Sequence, residues 1–163
     1  KEAFGLAYTL VGDREEAKDV LQDTFFNLYR GIRMYRGESS FRTYFFRILV
    51  NRCRDAQRKR SVWGRLFVFR VPEKEEEDES LEGITQKTPE DSAIRTELGD
   101  HLTEAVRQLP FRQKTIFSLK FIEGMKIREI AELLGLSPGT VKATLFQAVS
   151  KMRQTLAAYL ESA

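Results

Sequence analysis

Apolar residues recur every three or four positions through most of this 163-residue chain, which is the spacing of helices that bury one face. In the first half, the pattern predicts helices at residues 3–11, at 14–32 and from 41 to about 60. In the second half, it predicts four more helices, at 98–109, 111–124, 126–134 and 137–160. We therefore expect an all-α protein.

The ends of the first three predicted helices carry residues typical of helix boundaries. Asp13 can cap the second helix by accepting a hydrogen bond from a free backbone amide, and Ser39 or Ser40 can cap the third. The apolar side predicted for the second helix consists of Ala17, Val20, Leu21, Thr24, Phe25 and Leu28. That of the third helix consists of Phe41, Tyr44, Phe45, Ile48, Leu49 and Ala56.

Another side of the third predicted helix carries a stripe of basic and amide side chains. Its members are Arg47, Asn51, Arg54 and Arg58. Their spacing of four, three and four residues places them on one line along about three turns. Residues 42–60 hold seven basic residues and one acidic residue. A solvated face usually mixes both signs, so this stripe favours contact with phosphates.

Charge divides the chain into three parts. Residues 1–60 carry thirteen Lys and Arg against eight Asp and Glu, residues 61–96 carry five against nine, and residues 97–163 carry nine against seven. Two basic ends flanking an acidic middle indicate two nucleic-acid-facing modules on a linker, with ordinary surface charge as the alternative. The expected organisation is two small helical domains, at 1–62 and 97–163, joined by a flexible acidic linker at 63–96.

One segment of the second half has the spacing of a helix-turn-helix. Ala131 supplies the small residue where two helices meet, Gly135 can adopt the turn that follows, and Val141 anchors the second helix. Ser137 can cap that second helix, and Pro138 suits its first turn. The alternative is a small helical bundle that has this spacing by chance.

The outer face of this second helix contains few cations. Its predicted core side consists of Val141, Leu145, Ala148, Met152 and Leu156. The opposite side consists of Thr140, Ala143, Phe146, Gln147 and Ser150, with Lys142 and Arg153 at one edge. Phe146 is therefore a large apolar ring outside the core, placed either to pack against a neighbouring chain or to touch a thymine methyl group.

Several classes of function are excluded or disfavoured. Cys53 and His101 are the only cysteine and histidine, so neither an intramolecular disulfide nor a multi-histidine metal site is possible. Catalytic motifs are missing, and we expect no enzyme, cofactor or small-molecule substrate. Neither a membrane span of roughly 20 apolar residues nor a signal peptide is present, so we expect a cytoplasmic protein without membrane insertion. Because Lys1 already lies in a helical pattern, we expect residues before it.

These segments together resemble a bacterial RNA polymerase sigma factor of the extracytoplasmic-function class (group 4, related to sigma-70). The part that resembles region 2 of this family is "GDREEAKDVLQDTFFNLYRGIRMYRGESSFRTYFFRILVNRCRDAQRKR". The part that resembles region 4 is "LPFRQKTIFSLKFIEGMKIREIAELLGLSPGTVKATLFQAVSKMR". Both parts stand in the family's order and spacing.

The resemblance implies two groups of site residues in the first half. The "DVLQDTF" helix corresponds to the segment that docks on the clamp helices of the polymerase β′ subunit, with candidates Asp19, Gln22, Asp23 and Phe25. The "RMYRGES" loop and the next helix correspond to the part that melts the −10 promoter element and captures a flipped base. Its candidates are Tyr35, Arg36, Ser39, Arg47, Asn51, Arg54 and Arg58. Tyr35 would stack on the base and Asn51 would read its edge.

The resemblance also implies that the helix-turn-helix reads the −35 element in the major groove. Its candidates are Thr140, Lys142, Ala143, Thr144, Phe146 and Gln147. Where the family often has "GTVKSRLHRA", Ala143, Thr144 and Gln147 replace a serine and two arginines. Because arginine is the commonest reader of guanine, we expect a −35 element read mainly through A·T pairs, with a shallow salt dependence.

Three functions are compared. A transcription initiation factor would bind core RNA polymerase at the β′ clamp helices and the β flap, bind promoter DNA, and be held inactive by an anti-sigma factor. A sigma-like decoy would sequester an anti-sigma factor without initiating transcription, which the few cations of the helix-turn-helix favour. A stand-alone repressor leaves the first half unexplained. The stripe, Tyr35 and Asn51 favour the initiation factor, because a decoy need not retain them.

Overall fold

The computed structural model describes residues 2–66, 99 and 101–162 of the chain. Within these ranges the fold is all-α, as predicted, and contains no β-strand. The first half forms α1 (Glu2–Val11), α2 (Arg14–Gly31), a 3-10 turn (Ile32–Met34) and α3 (Phe41–Leu66). The second half forms α4 (101–107), α5 (Phe111–Phe121), α6 (Ile127–Leu134) and α7 (Pro138–Ser162). Beyond the end of α3, the predicted linker lies outside the described residues.

The helix starts in the first half follow from local hydrogen bonding. The side chain of Asp13 accepts a hydrogen bond of 2.7 Å from the backbone amide of Glu16 at the start of α2. Ser40 caps α3, since its hydroxyl accepts from the backbone amide of Thr43 at 3.1 Å. Each cap satisfies an amide that has no partner within its own helix, so both sequence signals for these helix starts are confirmed.

The buried side of α3 differs from the predicted one. Its fully buried residues are Thr43, Phe46, Leu49, Val50 and Cys53. Of the predicted side, Leu49 is among them, Phe45 and Ala56 pack partly buried against the core, and Phe41 is about half exposed. The prediction was only partly right because α3 packs against α6 of the second half as well as against α1 and α2, and sequence periodicity cannot reveal that third neighbour. The helix also continues to Leu66 rather than ending near residue 60.

One hydrophobic core joins the two halves, which we call the N-lobe (residues 2–66) and the C-lobe (residues 101–162). Helix α1 packs against α5, and α3 packs against α6. The shared core includes Leu6 and Leu10 of α1, Phe46 of α3, and Ile116 and Leu119 of α5. A second cluster closes α4 on α7 and consists of Ala105, Val106, Leu109, Ala148 and Met152. The sequence predicted two helical modules but not this contact between them.

Cys53 provides a direct test of the buried side of α3. Its side chain is inaccessible to solvent, and burial raises the pKa of its thiol to about 12. Because the thiolate is the reactive form, we expect an aromatic disulfide reagent at pH 8 to label the native protein at least about a hundredfold more slowly than the unfolded protein. Absorbance kinetics with and without guanidinium measure this ratio. Equal rates in the two states would contradict the placement of Cys53.

Candidate nucleic-acid interface

A small pocket lies between the 3-10 turn and the first turn of α3. Its volume is about 150 Å³, and its lining residues are Met34, Tyr35, Arg36, Glu38, Ser39 and Tyr44. This volume lies below the roughly 300–1,000 Å³ of typical ligand clefts, so the pocket suits one small ring better than a large ligand. Tyr35, Arg36 and Ser39 are therefore together, as the resemblance implies.

Tyr35 is held at the wall of this pocket by three contacts. Its hydroxyl donates a hydrogen bond to the backbone carbonyl of Ser39. Its ring centroid lies 5.0 Å from that of Tyr44 and 6.1 Å from that of Phe41. Gly37, at a φ of 72°, lets the loop turn back on itself. The ring is thus positioned before any ligand arrives.

Tyr44 is a pocket residue that the sequence analysis missed, because helical periodicity placed it on the apolar side of α3. It is half-buried and lines the pocket. Gly31 makes room for it, since a Cβ at that position would lie 2.7 Å from the Tyr44 hydroxyl. A second aromatic residue one turn into the helix after the loop was the signal that could have revealed it.

The predicted stripe lies along the surface of α3. Asn51 and Arg58 are exposed, and Arg47 and Arg54 are half-buried. Arg47 is already engaged, because its Nη2 donates to the backbone carbonyl of Glu132 in α6 at 3.3 Å and lies 3.7 Å from the Glu132 carboxylate. The structure therefore presents the stripe as predicted but occupies one of its guanidinium groups within the molecule.

Asn51 does not line the pocket of Tyr35 and Tyr44. It follows Tyr44 by two turns of α3, which is about 10 Å along the helix axis. The resemblance implies that Tyr35 and Asn51 act at one base, but Tyr35 lies in the loop before α3, and Asn51 lies two turns of α3 beyond Tyr44, the other ring of the pocket.

Helix α2 presents an exposed face that combines acidic and aromatic side chains. The predicted residues Asp19, Gln22 and Asp23 are exposed, and so is more than half of Phe25. Phe26 and Tyr29 follow Gln22 by four and seven residues and thus share this face. They are 57% and 80% exposed. We call these residues, Asp19, Gln22, Asp23, Phe25, Phe26 and Tyr29, the α2 face. The sequence analysis missed Phe26 and Tyr29 because helical periodicity alone does not indicate that an aromatic side chain faces water.

The helix-turn-helix has the geometry that its spacing predicted. Gly135 adopts a left-handed conformation, at φ 65° and ψ 40°, between α6 and α7. Ala131 and Val141 are buried where the two helices meet. The Ser137 hydroxyl accepts from the backbone amide of Thr140 at 3.1 Å and so caps α7. The second helix of the motif is therefore fixed in direction by the turn, the cap and the buried contact.

The outer face of α7 carries Lys142, Ala143, Phe146 and Gln147 in exposed positions, with Thr140 half-buried beside them. Phe146 is 77% exposed. Thr144 does not belong to this surface, which corrects the prediction: it is buried, and its hydroxyl donates to the backbone carbonyl of Thr140 at 2.9 Å. The outer face of α7 thus presents mainly apolar and amide side chains, with one lysine.

Within 2–66, 99 and 101–162, no group of three or more His, Cys, Asp and Glu side chains is arranged to hold a metal ion. None of the helices in these ranges combines the length and the apolar content that crossing a bilayer requires.

Comparison with known proteins decides the family. Residues 1–62 match the model of sigma-70 region 2, and residues 100–152 match that of sigma-70, region 4. The RNA polymerase sigma factor SigV of Bacillus subtilis (strain 168) is 31% identical over 153 residues, which cover 94% of this chain and 83% of SigV. The ECF RNA polymerase sigma-E factor of Haemophilus influenzae is 32% identical over 142 residues, which cover 83% of this chain and 71% of that protein. The chain belongs to the extracytoplasmic-function (ECF) sigma factors.

A solved structure shares the fold of this ECF sigma factor. It is the sigma factor RpoE in complex with the anti-sigma factor NepR from Bartonella quintana, with a TM-score of 0.75 and 19% identity, and the alignment covers 95% of this chain and 89% of RpoE. The region 2 match contains the pocket, the stripe and the α2 face, and the region 4 match contains the helix-turn-helix. Sigma factors are transcription initiation factors rather than enzymes.

Proposed function

We propose that this ECF sigma factor acts in the cytoplasm and directs core RNA polymerase to promoters, melting the −10 element with its N-lobe and reading the −35 element with its C-lobe. The observation that carries the proposal is the pocket of Tyr35 and Tyr44 beside the stripe. Arg47 follows Tyr44 by one turn of α3, so a strand whose base enters the pocket would have its phosphates beside the guanidinium groups.

At the −10 element, one base of the non-template strand would leave the stack and enter the pocket against Tyr35. Extracting a base costs a few kcal/mol, and stacking on an aromatic side chain returns about 1–3 kcal/mol. Phosphate contacts with Arg54 and Arg58 would supply the remainder, because each contact releases a counterion from the DNA. Melting would therefore depend on the pocket and the stripe together.

Asn51 would read a neighbouring nucleotide rather than the base in the pocket. Its separation from Tyr44 by two helical turns supports this division of roles. The amide can donate and accept at one base edge, so we assign it to the next specificity position along the strand. This revises the expectation that Tyr35 and Asn51 act on the same base.

The α2 face would dock on the clamp helices of the polymerase β′ subunit. Aromatic side chains are enriched in protein interfaces, and the exposed rings of Phe26 and Tyr29 supply them here beside Asp23. The exposed pair Phe121 and Ile122 at the end of α5 would contact the β flap. An anti-sigma factor is a further proposed partner, and its support is that the related RpoE fold is found in complex with one.

A sigma-like decoy is the second candidate, and the outer face of α7 favours it. Lys142 is the lone cation among Thr140, Lys142, Ala143, Phe146 and Gln147. A decoy would bind an anti-sigma factor and would need neither the pocket nor the stripe.

Selection of promoter sequences separates these two functions. Bacterial core polymerase is reconstituted with the purified protein, incubated with a random DNA pool, and the bound fragments are sequenced. A sigma factor enriches two motifs at a fixed separation. A decoy enriches none beyond those retained by core polymerase alone.

The selected −35 motif should be rich in A·T pairs. Gln147→Ala should lower the preference for adenine at one position by about tenfold, because a bidentate amide contact contributes about 1–3 kcal/mol to base discrimination. Lys142→Ala is the matched control and should weaken binding to all sequences alike, as expected for a phosphate contact. Repeating the selection with both variants measures this. A motif dominated by G·C pairs and insensitive to Gln147→Ala would refute the assignment.

A further inference from the structure

An ion pair joins the two lobes at a point that neither proposed DNA contact uses. Arg42 of α3 donates from Nη2 to the backbone carbonyl of Glu123 at 2.6 Å and lies 3.3 Å from Oε2 of the same residue. Glu123 follows α5 in the C-lobe, and its side chain is 1% exposed. A carboxylate with so little access to water is costly to bury unless a nearby cation compensates its charge.

Two more contacts cross between the lobes. Arg107 of α4 donates from Nη2 to the hydroxyl of Tyr8 in α1 at 2.6 Å, with its guanidinium carbon 5.3 Å from the centre of the same ring. Arg47, a member of the proposed −10 stripe, is held by Glu132 of the helix-turn-helix. Both proposed DNA-binding elements are therefore tied to each other in this arrangement.

The closed arrangement cannot serve a promoter as the proposed function requires. A compact chain of this length has a radius of gyration of about 15 Å and is about 40 Å across. Elements centred about 10 and 35 base pairs upstream of a start site are about 25 base pairs apart, which is about 85 Å of duplex at about 3.4 Å per base pair. Contact with both elements therefore requires the lobes to separate.

We propose that this chain closes on itself without any partner, that Arg42 holds the closed form by compensating the buried charge of Glu123, and that opening releases Arg47 for the −10 strand. The N-lobe surface formed by α1 and α3 thus has the C-lobe of the same chain as its partner. This inference rests on the proposed function for the consequence of opening, but not for the closed form itself.

The charged groups around Glu123 determine whether a given substitution favours the open or the closed form. The charged groups that face its carboxylate are Arg42, which attracts it, and Glu2, which repels it. Both belong to the N-lobe, so the carboxylate lies at the contact between the lobes. Its Oε1 has no hydrogen-bond partner, and burial raises the pKa of Glu123. Without Arg42 the closed form would contain an uncompensated charge, whereas a neutral glutamine would remove that cost.

Spin-label distances in the full chain, without DNA or polymerase, test the closed form. Labels are attached at Lys18→Cys in α2 and Lys151→Cys in α7, which are exposed, while the native Cys53 is buried. The parent protein should give a single distance, that of the closed form. Arg42→Ala should add a longer one and raise the ratio of open to closed molecules at least about tenfold. Adding Glu123→Gln to Arg42→Ala should shift the distribution back toward that of the parent protein.

A matched control and a second variant show whether any change in distance is specific to the contacts between the lobes. Arg52→Ala removes an arginine of the same helix whose partner, Asp55, also lies in α3, and it should leave the distances unchanged. Circular dichroism verifies that each variant is folded. If Arg42→Ala is not, Arg107→Ala replaces it, because loss of the Tyr8 contact should also open the lobes.

The outcomes distinguish this inference from the proposed function. Distances in the parent protein longer than the closed arrangement allows would overturn the closed form. Identical distances in the parent, Arg42→Ala and the double variant would overturn the role of Arg42, whatever the protein does in transcription. In support, Arg42→Ala should also bind a single-stranded −10 oligonucleotide several-fold more tightly than the parent. If the closed form depends on Arg42 but the protein gives no promoter-dependent transcripts, the inference about closure stands and the proposed function is rejected.

Discussion

Replacing Asp23 by arginine should weaken binding to core RNA polymerase by at least about tenfold, because like charges brought together across an interface cost several kcal/mol. Asp23 lies exposed on the α2 face beside Gln22 and Phe26. The backbone carbonyl of Asp23 accepts a hydrogen bond from Asn27, so changing the side chain leaves the helix intact. Fluorescence anisotropy of the labelled protein titrated with core polymerase measures the affinity.

Two further variants decide whether the α2 face is the docking surface. Asp23→Glu keeps the charge and should bind like the parent protein. Tyr29→Ala removes an exposed ring without changing charge and should also weaken binding, since buried aromatic residues dominate interface energetics. Parent-like affinity in both Asp23→Arg and Tyr29→Ala would place the docking surface elsewhere.

Replacing Tyr35 by alanine should reduce open-complex formation by about tenfold or more, since stacking contributes about 1–3 kcal/mol per base. The ring forms the pocket wall with Tyr44, and its loss leaves the flipped base without a surface to stack on. Binding to core polymerase should not change, because the α2 face is separate from the pocket. Permanganate reactivity of unpaired thymines in the −10 element measures melting.

Tyr35→Phe separates stacking from support of the loop. This variant retains the ring but loses the hydrogen bond to the Ser39 carbonyl. If stacking is the main contribution, Tyr35→Phe should melt the promoter nearly as well as the parent protein. Full melting by Tyr35→Ala would show that no base is held in this pocket.

Local signals predicted much of this structure. Asp13, Ser137 and Gly135 each act within a few residues of the chain, through a cap or a left-handed turn, and each lies where the sequence indicated. The stripe of α3 was also predictable, because charged side chains along one line of a helix remain at its surface. These features depend on neighbours within one or two helical turns.

Features that depend on distant partners were not predictable. The buried side of α3 was partly misjudged because α6, far along the chain, covers part of it. Thr144 was assigned to the reading surface by family correspondence, yet the packing of α7 buries it. The pairing of Arg42 with Glu123 joins residues in different lobes, and nothing in the local sequence of either residue indicates the other.

Run-off transcription tests the central claim most directly. A template carrying a promoter obtained by the selection is incubated with core polymerase, nucleotides and the purified protein. The account predicts transcripts of one defined length that require both the protein and the promoter, and that are reduced by Tyr35→Ala. The absence of promoter-dependent transcripts from a protein that still binds core polymerase or an anti-sigma factor would contradict it and favour the decoy.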